Sequence, residues 1–128
     1  MNKVVHHNKT KGARETVIIL ADGYAYVMVS VSDESPDIAI VHDLVVHEYR
    51  RGEGLGRALL EESEKEAVLM GAETAKVLAD SGSWLQEWYG RHGYRVDYVP
   101  EWRKVVLMSK DLTRSDAAEP QIGQSDFQ

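Results

Sequence analysis

Apolar positions recur along this chain with two different periods. Thr16 to Leu20 is a short β-branched run, and Ala25, Val27, Val29 and Val31 then fall on every second position from Tyr24 to Ser32. A period of two places such residues on one face of a strand. Ala21-Asp22-Gly23 separates the two runs and predicts a hairpin, because glycine tolerates the positive φ of a tight turn. Ser35-Pro36-Asp37 makes the next turn. Ile38 to Val46 follows as a more continuously apolar strand, the pattern of a central position in a sheet.

The period then changes. Leu59, Leu60, Ala67 and Met70, with Ser63 in register, share one face of a helix expected over 55–70 and stopped by Gly71. Glu61, Glu62, Glu64, Lys65 and Glu66 cover its solvated side. Thr74 to Ala79 is a short strand. Ser83 with Gln86 three residues on has the form of a capping box, opening a second helix that ends at Gly93. Tyr94 to Tyr98 and Lys104 to Lys110 are the last strand candidates. The order β-β-β-α-β-α-β-β predicts a mixed, mostly antiparallel α/β sheet of about six strands. The unit from Ile38 to Ala79 is a right-handed crossover that makes its two strands parallel.

The two ends carry little apolar pattern. Residues 1–14 hold Lys3, Lys9, Lys11 and Arg14 with no acid, and residues 113–128 are polar and contain Pro120. Both are expected to be loosely ordered, with room for a short first strand within Lys3 to His7, leaving one domain over 15–112. The 128 residues suffice for a single core. There is no cysteine, which excludes disulfides, thiolate metal sites and cysteine nucleophiles. A formal charge of -6 argues against a nucleic-acid partner. No apolar run is long enough for a membrane helix or resembles an export signal, so a cytoplasmic protein is expected.

The chemistry concentrates in Arg51-Gly52-Glu53-Gly54-Leu55-Gly56, between a central strand and a helix. Alternate glycines let backbone approach a ligand closely, and a helix N-terminus offers unpaired N–H groups with partial positive charge. Arg50, Arg51 and Arg57 add charge in an otherwise acidic chain. The combination suits a phosphate or pyrophosphate. It is not a P-loop, since no Gly-Lys-Ser/Thr follows, and Leu59 stands where a dinucleotide fingerprint needs its third small residue.

Arg51 to Gly56 resembles the Q/R-x-x-G-x-G/A signature of the GCN5-related N-acetyltransferases, the GNAT superfamily. Asp43-Leu44-Val45-Val46 resembles the family's fourth strand, and Arg57-Ala58-Leu59-Leu60 the start of its third helix. Trp88-Tyr89-Gly90-Arg91-His92-Gly93-Tyr94 is similar to its F-Y-x-x-x-G-F segment. The match covers Thr16 to Leu112. It departs from the family in two places. Too few residues precede Thr16 for the family's first two helices, so the chain resembles a short form lacking most of the N-terminal helical region, with an open acceptor site or one completed by another subunit. Gly82 also stands where the family often has Asn.

The resemblance implies a sheet with splayed central strands and acetyl-CoA as co-substrate, with no metal. Its pyrophosphate would rest on Arg51, Gly52, Glu53, Gly54, Leu55, Gly56 and Arg57, and its pantetheine arm on Leu44, Val45 and Val46. Tyr89, at the family's tyrosine, would protonate the departing thiolate. The acceptor amine must lose a proton, at a cost of about 4.6 kcal/mol at pH 7 for a lysine-like amine. His42 and Asp43 lie on the strand leading to the acetyl group and are the candidate bases. Neighbouring strand residues point to opposite faces, so one of them is expected to face the acceptor, and His42 suits neutral pH better. The implied activity is N-acetyl transfer to a primary amine of a peptide, protein or small metabolite. The alternative is a CoA-binding or protein-interaction module without turnover. An exposed sheet edge leaves room for a homodimer.

Overall fold

The computed structural model describes residues 2–100 and 104–113. The strands are β1 (Lys3–Thr10), β2 (Ala13–Leu20), β3 (Ala25–Ser32), β4 (Ile38–Val46), β5 (Thr74–Asp80), β6 (Arg95–Tyr98) and β7 (Val105–Asp111); the helices are α1 (Leu55–Leu69) and α2 (Trp84–Arg91). They form one sheet in the order β1-β2-β3-β4-β5-β7-β6. Every pairing is antiparallel except β4 with β5, the crossover through α1.

One face of the sheet is covered. Val27, Val29 and Val31 of β3, Ile18 of β2 and Val77 of β5 are buried with Leu59 and Leu60 of α1. Each large aliphatic side chain withdrawn from water there contributes roughly 1.5–3 kcal/mol. Ser63 is buried in the same stripe, and its hydroxyl donates to the Leu60 carbonyl at 2.8 Å. The other face stays open: Tyr26, Ile40, Val45 and Leu78 are all exposed on it.

Two expectations need correcting. The N-terminal segment is not loosely ordered, because β1 pairs with β2 along its whole length, Lys3 opposite Leu20 through Thr10 opposite Ala13. Its side chains are nearly all exposed, so no buried stripe announces it; backbone pairing makes it a strand, and it raises the count to seven. Lys3 also reaches α1, with Nζ donating to Glu62 at 2.9 Å. The acidic side of α1 is accordingly not simply solvated, for Glu64 accepts from the Tyr94 hydroxyl at 2.9 Å and from Lys110 at 3.0 Å. Burial first, and then the Glu64 carboxylate, push the Tyr94 phenol far above its ordinary range. The hairpin expected at Ala21-Asp22-Gly23 does form, with Leu20 opposite Ala25, and its connection is a single turn with positive φ at Ala21, Asp22 and Gly23 in succession. The expected polar tail lies outside the described residues from 114 onward.

Candidate active site

The crossover pair separates early. Only Ile38, Ala39 and Ile40 of β4 pair with β5, although β4 continues to Val46. Beyond Ile40 the two strands are splayed. The His47 N–H donates to Tyr24 on the β3 side at 2.7 Å. Alternation from His47 then turns the Val46 N–H into the gap, and that of Val45 back towards β3. Val45 lines neither of the two cavities that open in this gap, and its side chain lies on the open face.

At the C-terminal end of β4 the gap opens into a cleft of about 550 Å³, lined by Leu44, Val46, Arg51, Gly52, Gly54 and Leu55 among others. Gly52 and Gly54 have φ of 85° and 79°, a region that costs other residues about 1–2 kcal/mol. A side chain at either would project into open space. Gly54 caps α1 without any side-chain hydrogen bond, and the first turn holds no acid. The leading N–H groups of α1 thus lack a side-chain partner and face the cleft end of the helix. Gly56 differs from Gly52 and Gly54: its φ is not left-handed, and a Cβ there would lie 3.5 Å from the Trp88 ring and 4.0 Å from Val46, ordinary contact distances.

The arginines are held by weak partners. Arg51 Nε donates to the Val46 carbonyl at 3.3 Å, and Arg57 pairs with Glu61 at 3.2 Å. Arg50 pairs with Glu53 at 3.0 Å, a hydrogen bond that holds the Glu53 carboxyl below its usual range. Exposed pairs of this kind contribute little, so an incoming polyanion can recruit the guanidiniums. Glu53 itself turns to Arg50 and does not line the cleft.

A second cavity of about 310 Å³ lies further into the splay, lined by Ile40, His42, Asp43, Leu78 and Tyr89. It shares Leu44 and Leu85 with the larger cleft, so the two meet there. Tyr89 is buried, and its hydroxyl has no hydrogen-bond partner among the described residues. A buried polar group left unpaired is rare and marks a place where a ligand can supply the partner. Burial also raises the phenol above its ordinary range, so it stays protonated, as a donor must.

His42 and Asp43 differ from the strand expectation. Val45 pairs with Tyr26 and His42 with Met28, so two residues of β4 oppose one of β3 in a bulge. Asp43 takes φ 56° there, which Asp tolerates better than most residues. The bulge cancels the alternation: both side chains line the smaller cavity, with His42 Nδ1 and Asp43 Oδ2 3.3 Å apart.

A match to the acetyltransferase (GNAT) domain model spans residues 12–96. The chain belongs to the GNAT acetyltransferases. No protein of curated function matches it in sequence. Among solved structures the acetyltransferase is similar to one from Bacillus cereus, at 22% identity and a TM-score of 0.65 over 81% of this chain and 79% of that one. It is similar to a GNAT family acetyltransferase from Elizabethkingia anophelis with acetyl-CoA bound, at 11% identity and a TM-score of 0.64, covering 86% and 98%. PaiA N-acetyltransferase from Thermoplasma acidophilum, in complex with coenzyme A, matches at 16% identity and a TM-score of 0.63, covering 78% and 61%. These likenesses establish the shared fold.

Sequence reasoning missed part of the site. Trp84, Leu85 and Trp88 of α2 look like core residues by spacing, yet all three line the larger cleft, and Trp84 is 71% exposed. Their helical face was visible in the sequence; which side of α2 meets the sheet was not. Ser83, beside the Gly82 that stands where the family often has Asn, is the N-cap of α2, accepting from Gln86 N at 3.2 Å and donating to the Asp80 carbonyl at 2.6 Å. Among the described residues no helix is long and apolar enough to cross a membrane, and no group of His, Asp or Glu could hold a metal ion.

Proposed function

We propose that this GNAT acetyltransferase moves the acetyl group of acetyl-CoA to a primary amine of a peptide, protein or small metabolite, by direct attack within a ternary complex. The observation that carries this reading is the junction of the two cavities at Leu44 and Leu85. It joins an anion-receptive glycine loop to a buried, unpartnered phenol and an imidazole–carboxylate pair. The fit to a CoA thioester rests on the open space over Gly52 and Gly54 and on the orphaned Tyr89 hydroxyl.

When bound, acetyl-CoA supplies an activated thioester carbonyl. The N–H groups from Gly52 to Gly56, with Arg51 and Arg57, hold its diphosphate. The N–H groups of β4 that face the gap, that of Val46 among them, bond the pantetheine arm as an added strand would, and one of them faces the carbonyl oxygen where negative charge develops. The His42–Asp43 pair takes the proton of the acceptor amine, becoming an imidazolium beside a carboxylate. The amine nitrogen then bonds to the carbonyl carbon as the carbon–sulfur bond breaks; Tyr89 gives its proton to sulfur, the second proton shed by the nitrogen as it becomes an amide returns the phenolate to phenol, and the imidazolium gives its proton to solvent.

The open sheet face, with Tyr26, Ile40 and Leu78 exposed around His42, supports an acceptor that arrives unobstructed from that side. The same face favours a second reading, a CoA-holding interaction module. Calorimetric titration with acetyl-CoA, followed by a free-thiol assay over primary amines, tests both. The expected result is binding together with amine-dependent thiol release. Binding without release on any amine favours the module, and loss of both removes the CoA reading altogether.

A further inference from the structure

Trp84 and Trp88 stand one helical turn apart on α2, and their surroundings differ. The Trp88 ring is engaged: its centre lies 5.3 Å from that of Tyr89 and 4.4 Å from that of His92, and its edge lies 3.5 Å from where a Cβ at Gly56 would be. Trp84 has no ring partner among the described residues and is 71% exposed, yet it lines the larger cleft with Gly56 and Arg57. We infer that Trp84 is the platform on which the adenine base of acetyl-CoA stacks. The inference rests on the proposed reading of the cleft as a CoA site.

The two cavities assign the parts of the ligand. Leu44 and Leu85 lead into the smaller one, where Tyr89, His42 and Asp43 gather, so the thioester lies at that end. Trp84 and Trp88 line the larger cleft alone. The approach of Trp88 to Gly56 sets α2 beside the first turn of α1, whose N–H groups receive the diphosphate. Trp84 lies four residues before Trp88, about 6 Å along the helix. Only a ribose separates the diphosphate of CoA from its base, so a base leaving the first turn of α1 on this side comes within reach of the Trp84 ring.

The chemistry of the ring suits that occupant. An indole presents a large flat apolar face, and a purine stacks on such a face without a fixed set of hydrogen-bond partners. Left in water, the exposed indole contributes little to the fold; covered by a base, both partners withdraw apolar surface from solvent. Tyr49, which precedes the glycine loop, is a second exposed ring at 81% exposure. It is turned to His47, with 5.0 Å between ring centres, and does not line the cleft. Tyr49 therefore serves as the control.

Calorimetric titration of the full chain with two ligands tests the inference. Acetyl-CoA carries the base; S-acetyl-4′-phosphopantetheine keeps the thioester, the arm and one phosphate but lacks ribose and base, and its weaker binding is read by competition with acetyl-CoA. Trp84→Ala should lower acetyl-CoA affinity roughly five- to a hundredfold and leave that for the shorter ligand unchanged. Trp84→Phe, which keeps a ring, should recover most of the loss, and Trp84→Leu, which keeps only apolar bulk, should not. Tyr49→Ala should bind both ligands as the wild type does. Because both side chains are exposed, the thermal midpoint should stay in place throughout. Equal losses for the two ligands would set Trp84 against the pantetheine arm and overturn the inference. Unchanged acetyl-CoA affinity in Trp84→Ala, or a loss seen with Tyr49→Ala alone, would overturn it as well. A wild-type protein that binds no acetyl-CoA fails the CoA reading itself, and the inference falls with it.

Discussion

Gly56 and Trp88 meet across the cleft with only 3.5 Å between the Trp88 ring and the point where a side chain at Gly56 would begin. That is ordinary contact, and Gly56 has an ordinary helical φ, unlike Gly52 and Gly54. The glycines of one loop should therefore respond differently to a methyl group. Gly56→Ala should keep or raise stability, by up to about 1 kcal/mol, since alanine favours a helix. Gly54→Ala should lose roughly 1–2 kcal/mol from the left-handed backbone alone. Urea denaturation of the two variants separates them, and equal losses would mean that the loop conformation differs from that described.

Tyr89 offers a cleaner probe of the chemistry. Its hydroxyl has no partner among the described residues, so Tyr89→Phe removes no protein hydrogen bond and should leave stability within about 0.5 kcal/mol. If the phenol serves the departing sulfur, turnover should fall on the order of 10²-fold while acetyl-CoA affinity stays the same. Steady-state kinetics beside calorimetry read both quantities. Unchanged turnover would leave Tyr89 as packing.

Much of this architecture was legible in the sequence, and what was not has physical causes. The period-two run of β3 and the 3.6-residue stripe of α1 read directly, because each buries one face against the other. The glycine loop read directly because positive φ leaves few alternatives to glycine. β1 was legible only as room for a short strand within Lys3 to His7, because an edge strand with exposed side chains has no burial pattern to display. The meeting of His42 with Asp43 was hidden because a bulge depends on how β3 and β4 register, which neither strand encodes alone. The cleft role of Trp84 was hidden for the same kind of reason: apolar residues that line a ligand groove look like core until the neighbouring helix is placed.

Alkaline pH should expose the buried phenols. Burial raises Tyr94, with the Glu64 carboxylate adding to it, and burial raises Tyr89. In the unfolded chain both titrate near pH 10. Above that value the unfolded state binds fewer protons than the native one, so stability falls as pH rises. It is fully present below about pH 10 and declines beyond it. Tyr94→Phe should weaken this decline, while losing about 1 kcal/mol at neutral pH with the bond to Glu64. Urea midpoints at neutral and strongly alkaline pH check the sign. A slope unaffected by the substitution would place the alkaline loss elsewhere.

The arginines test whether the cleft takes a polyanion. Arg51 is tied to the Val46 carbonyl and Arg57 to Glu61, both by exposed contacts that contribute little to the fold. Neither replacement should therefore shift the thermal midpoint appreciably. A diphosphate held by a guanidinium is a charge-assisted interaction worth about 1.5–3 kcal/mol, which corresponds to a loss in acetyl-CoA affinity of roughly ten- to a hundredfold for Arg51→Gln. Salt screens charge but leaves backbone N–H donors at the α1 terminus largely in place. Raising the ionic strength should consequently weaken binding to the wild type more than to Arg51→Gln, and Arg57→Gln should behave in the same way with a smaller loss. Dephospho-CoA keeps the diphosphate and lacks the 3′-phosphate, so it should show the same dependence on Arg51 as acetyl-CoA. If the two ligands respond differently, Arg51 grips the 3′-phosphate and the diphosphate rests on the loop amides alone.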